Sequence, residues 1–125
     1  MTICITARGE GLNSEVDPTF GRAAYFLFID PEAFTPETLI TETVRNVPGA
    51  HGAGVQAAQT VAAKKASAVI TGSVGPNAYQ GLSTAGIKIY TGAKGTIKEA
   101  LEDYRAGRLT DATGATGARH GGGMR

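Results

Sequence analysis

Residues 51–92, HGAGVQAAQTVAAKKASAVITGSVGPNAYQGLSTAGIKIYTG, alternate between helical and extended hydrophobic periods, and that alternation decides the fold. From Val55, small apolar residues fall at Val55, Ala58, Ala62 and Ala66, the spacing of one helical face. Their size lets a helix axis lie close to a sheet. SAVITG (67–72) reads as a buried strand. GPNAYQGLSTAG (75–86) is a short helix with Pro76 at the favoured first position and Ala78, Leu82 and Ala85 as its apolar face. IKIYTG (87–92) is extended again. A helix between strands of one sheet implies a parallel, right-handed crossover.

The flanks complete the pattern. TIKEALEDYRAG (96–107) places Ile97, Ala100, Leu101 and Tyr104 on one helical stripe, with Gly107 as its stop. TICITAR (2–8) is a first strand, and GEGLNSEVDPTFGR (9–22) has the chemistry of a loop. AAYFLFID (23–30) is apolar throughout, as expected of a strand covered on both faces. PEAFTPET (31–38) is a turn, and the polar residues of LITETVRNV (39–47) suit an edge strand. The order β-β-β-α-β-α-β-α predicts an α/β fold: a mixed five-stranded sheet of order 3-2-1-4-5 with helices on both faces. That three-layer arrangement resembles the ribonuclease H-like architecture. TDATGATGARHGGGMR (110–125) is rich in glycine and poor in large apolar residues. A domain over 1–109 and a flexible Gly-rich tail over 110–125 are therefore expected.

Composition narrows the function classes. A chain of 125 residues that is 42% hydrophobic has material for one core. Its net charge of +1 gives no pull toward nucleic acid or acidic membranes, and the lack of tryptophan argues against a base-stacking platform. One cysteine, Cys4, forbids an internal disulfide and suits a reducing compartment. MTICITARGEG lacks the basic region and apolar run of a signal peptide. No apolar segment approaches the ~20 residues that span a bilayer. A small cytoplasmic domain is expected.

Ligands of such sheets bind beyond the carboxyl ends of the parallel strands. That edge collects residues 8–11, 72–77 and 91–95, and two helix amino termini, behind Gly52 and Gly54 and behind Gly75. Free N–H groups and partial positive charge there suit an anion. Common catalytic sets are missing from the sequence. The first strand has no carboxylate for a nuclease-type metal, neither GAHGAGVQ nor GAKGTIK is a P-loop, and no Cys-x-x-Cys or His-x-x-x-His pair closes a metal site. A non-enzymatic role is expected. His51 sits in a glycine cluster, NVPGAHGAGVQAAQ (46–59), as a turn residue or a ligand. Arg8 and Arg22 flank the first loop as solvated charges or anion contacts. Cys4, between isoleucines, is a small hydrophobe or a ligand. His120 and Met124 offer soft donors on the tail.

SEVDPTFGRAAYFLFID, then the residues from His51 to Gly92, resemble the dinitrogenase iron–molybdenum cofactor biosynthesis family of the NifX and NifB C-terminal type. The specific pieces are Phe20-Gly21-Arg22, His51-Gly52-Ala53-Gly54 with Ala57, Ala58 and Gln59, Gly72, Gly75 to Ala78, Leu82, Gly86-Ile87 and Thr91-Gly92. The resemblance implies a non-catalytic carrier or scaffold for iron–sulfur or iron–molybdenum-type clusters, working with cluster donor and acceptor proteins. A related small type holds a molybdenum–copper sulfide cluster without covalent protein ligands. Such clusters are polyanions. The resemblance therefore gives a shared purpose to Arg8, Arg22, Gly52, Gly54, Gly72, Gly75 and Asn77, with His51, and less so His120 and Cys4, as metal donors. The alternative is a regulatory or interaction module binding a small anion or a partner protein without metal.

Overall fold

A computed structural model describes residues 2–32, 40–46 and 53–112. Among them run β1 (Ile3–Ala7), β2 (Tyr25–Ile29), β3 (Ile40–Arg45), α1 (Ala53–Ala63), β4 (Ala68–Ile70), α2 (Pro76–Thr84), β5 (Lys88–Thr91), α3 (Ile97–Arg105) and β6 (Thr110–Asp111). The sheet order is β3-β2-β1-β4-β5-β6. β1 lies antiparallel to β2 and parallel to β4, and β5 is parallel to β4. The expected order of the first five strands is present.

Alternation along the strands divides the core. Cys4, Phe26, Phe28, Val69 and Ile89 face α1 and α2, meeting Ala57, Ala58, Val61, Ala78 and Leu82. Ile3, Ile5, Leu27, Ile29 and Ile70 face α3, meeting Ile97, Ala100 and Leu101. Helices thus cover both sides, which explains why β1 and β2 are apolar without a polar phase.

The structure corrects the sequence reading at three places. The sheet has six strands, because Thr110 and Asp111 pair with Thr91 and Tyr90. A hydrogen bond and ion pair from Lys88 Nζ to Asp111, 2.9 Å, secure that strand and raise the Lys88 ammonium above its ordinary range. The boundary expected at 109 therefore falls inside the sheet, and residues 113–125 lie outside the described residues. The buried face of α1 is also rotated. Val55 is 41% exposed, whereas Ala57, Ala58 and Val61 are buried. Close approach of α2 selects this phase: a Cβ on Gly54 would sit 3.2 Å from the Ala78 Cβ, and one on Gly81 would sit 3.0 Å from the Ala58 Cβ. Finally, Ala85 is the exposed C-cap of α2 and no part of its buried face.

Candidate functional site

The carboxyl ends of β1, β4 and β5 open on one edge, where β2 begins and β3 ends. Polar groups replace the core side chains at its floor. Thr6 Oγ1 lies 2.7 Å from the Asp17 carbonyl and 2.9 Å from Thr71 Oγ1, and both threonines are fully buried. The loop after β1 is stapled to the turn after β4: the Ser73 N–H donates to the Pro18 carbonyl at 2.8 Å, and the Phe20 N–H donates to the Ser73 carbonyl at 3.2 Å. Gly72 has a reason within the protein, since a Cβ there would come 2.6 Å from the Pro18 carbonyl oxygen.

All three helices start at this edge, α1 and α2 on one face of the sheet and α3 on the other. The start of α3 is sealed. Thr96 and Glu99 form a reciprocal capping box, and the N–H groups of Ile97 and Lys98 donate to the carbonyls of Ser14 and Leu12 at 2.8 and 3.0 Å. Gly95 before it is held at φ +80, and a Cβ there would run into the Glu99 carboxylate. The start of α2 is left open. Its N-cap is Gly75, which supplies no side-chain cap, and its first residue is Pro76. Gly75 has φ −78 and ψ 173, an extended conformation open to any residue, and a Cβ there would meet none of the described residues within 4 Å. Among the described residues nothing requires a glycine at this position.

Beside this opening stands the Phe20-Gly21-Arg22 turn. Phe20 is fully buried and packs on Phe26 with ring centroids 5.6 Å apart. The Asp17 carboxylate accepts from the N–H groups of Thr19 and Ala24 at 3.4 and 3.2 Å. The Asn46 side-chain amide donates to the carbonyls of Gly21 and Ala23 at 3.2 and 2.8 Å. Arg22 is exposed on this pinned turn.

The residues expected at a site fall into three groups. Arg22, Gly54, Gly72, Gly75 and Asn77 gather at the edge on the α1 and α2 side. Arg8 opens a segment that folds toward α3 instead, its N–H donating to the Glu15 carbonyl while Glu15 bridges Thr96. Cys4 is fully buried in the core facing α1 and α2, and burial pushes its thiol far above the ordinary range. It has the surroundings of a small hydrophobe and stands apart from the edge loops. His51, Gly52 and His120 lie outside the described residues. Among the described residues no group of three or more His, Cys, Asp or Glu could hold a metal ion. None of the described helices is long and apolar enough to cross a membrane. Asp17 and Asn46 were not singled out by sequence, because a lone Asx in a loop has many uses. The Thr96–Glu99 box was readable as T-x-x-E.

Comparison with known proteins fits this architecture. The chain is 38% identical to the orange protein of Desulfovibrio gigas, solved in its apo form. That match covers 92% of this chain and 95% of the other, with a TM-score of 0.80. A Thermotoga structure described as a candidate NifB protein is 35% identical, covering 96% of this chain and 98% of that one, with a TM-score of 0.78. An uncharacterized protein of Methanocaldococcus jannaschii is 30% identical over 78% of this chain and 82% of its own length. The model of the family described as dinitrogenase iron-molybdenum cofactor matches residues 1–107, which include every described element before β6. The chain belongs to the dinitrogenase iron-molybdenum cofactor family.

Proposed function

We propose that this chain binds and carries a metal–sulfide cluster as cargo in metallocofactor assembly, without catalysing a reaction on it. The observation that carries this reading is the unsealed start of α2, where Gly75 leaves space that none of the described residues demands. Backbone donors and the helix dipole favour a polyanion at such a start. Arg22 adds a full positive charge on a turn already fixed in place. Asn77, exposed in the first turn of α2, adds an amide that can donate to sulfide or oxide. Family membership supports an iron–molybdenum-type cluster as the cargo, and iron–sulfur and molybdenum–copper sulfide clusters are the other forms this reading admits. The likeness to a protein solved in an apo form supports a bound state for this fold. Donor and acceptor proteins would meet the cargo at the same edge. A cytoplasmic location suits the single, buried thiol.

In this reading His51 supplies a nitrogen donor from the segment before α1, and His120 a second one from the chain after β6. Anaerobic reconstitution with iron and sulfide, or with tetrathiomolybdate and copper, should leave a visible chromophore on the protein after desalting. His51→Ala should then retain ~10–100-fold less metal at limiting supply while melting like the wild type. Equal metal in both would remove His51 from the site. No retained metal under either condition, with thermal stabilisation by phosphometabolites instead, would replace this reading with the anion-binding module.

A further inference from the structure

We propose that Asn46 and Asp17 are positioning residues that fix Arg22 for its cargo. The inference rests on the cluster-carrying reading and assigns these side chains a part in it. Arg22 lies between Gly21 and Ala23, and both flanking carbonyls accept from the one amide of Asn46, at 3.2 and 2.8 Å. The backbone N–H of Asn46 donates to the Ala24 carbonyl at 2.9 Å. The Asp17 carboxylate spans the ends of the same turn, accepting from the N–H groups of Thr19 and Ala24. Asp17 is itself seated by two bonds to Thr6, one from its own N–H at 3.0 Å and one from the Thr6 hydroxyl to its carbonyl at 2.7 Å.

The turn has anchors besides this bracket. Burial of Phe20 already anchors one end of it, and the β2–β3 pairing at Tyr25 and Arg45 anchors the other. What the two polar side chains add is a fixed Cα for an exposed arginine. An arginine on a fixed anchor loses less conformational freedom when it meets an anion, so its contact is worth more. Asn46 donates through two N–H groups to two carbonyls, a role for which an aspartate has no donors.

The test combines affinity with a readout that needs no cargo. Binding of tetrathiomolybdate with cuprous ion is measured by retained molybdenum for wild type, Asn46→Ala, Arg22→Ala and the double variant. Asn46→Leu, similar in volume but without donors, guards against a simple packing defect. Each Asn46 variant should bind roughly tenfold more weakly, as expected for loss of a supporting residue. The double variant should be no weaker than Arg22→Ala alone, because Asn46 acts through the arginine. In the unloaded protein, amide hydrogen exchange of Arg22 and Ala23 should speed up on Asn46 substitution while that of β1 and β4 is unchanged. Wild-type affinity in both Asn46 variants, or an equal loss with and without Arg22, would overturn the positioning role. If Arg22→Ala itself binds as tightly as wild type, the cluster-carrying reading fails at this turn and the role falls with it. Unchanged exchange at Arg22 and Ala23 would overturn the clamp whatever the affinities.

Discussion

The starts of α2 and α3 lie at the same sheet edge, and the protein treats them in opposite ways. Around α3, a capping box and two borrowed carbonyls satisfy the first turn. Around α2, a glycine without a cap precedes a proline. A helix end left without partners is a cost that a fold ordinarily avoids. The difference separates a start that the fold seals from one that stays available to the cargo proposed above. Each glycine before them makes the same point: Gly95 is imposed by a positive φ and a neighbouring carboxylate, whereas Gly75 is imposed by neither.

Four substitutions test that contrast, ordered here by expected effect. Gly95→Ala should destabilise by about 2–3 kcal/mol, combining the left-handed backbone with loss of the capping box. Urea unfolding measures it, and cargo retention by the folded fraction should not change. A loss below 0.5 kcal/mol, roughly the background of surface substitutions, would mean that the start of α3 is not sealed as described.

Gly75→Asp should do the reverse. It supplies the missing cap and leaves stability the same or a few tenths of a kcal/mol higher. Its carboxylate occupies the helix start, so retained metal should fall about 10–100-fold. Retention equal to wild type would show that α2's start is open for some other reason.

Thr96→Ala isolates the cap of α3 without touching the backbone, at about 1 kcal/mol on the same unfolding curve. If Thr96→Ala and Gly95→Ala cost the same, the positive φ contributes nothing.

Lys65→Gly gives the smallest change and calibrates the first. Lys65 sits at φ 61 just after α1, where its N–H donates to the Ala62 carbonyl at 2.9 Å. Relief of the left-handed cost should raise stability by up to about 1 kcal/mol. A loss instead would mean that the Lys65 side chain makes a stabilising contact of its own, and the estimate for Gly95 would have to fall.

Much of this was legible in the sequence. The change of period after residue 51 determined the crossovers. The apolar run of β2 determined that helices cover both faces of the sheet there, because that strand has no polar side to turn to water. Pro76 marked the start of α2, and Gly107 with the stripe through Ile97, Ala100 and Leu101 marked α3 and its packing, since capping and 3.6-residue periodicity are local physics. Strand order alone brought the 72–77 turn to the carboxyl end of β4, and Arg22 came with the loop that joins β1 to β2.

Other features were decided only in three dimensions. The phase of α1 went to the face where Gly54 and Ala58 meet α2, because close helix packing selects small side chains over the larger Val55. Thr110 and Asp111 are too few to show a period, and they became a strand because β5 offered an edge. Arg8 was carried toward α3 by a loop whose path follows from its pairing with Thr96. The distinction between Gly75 and Gly95 is invisible in the sequence, where each is a glycine before a helix. A backbone angle and the atoms nearby separate them, and both are set by contacts between distant parts of the chain.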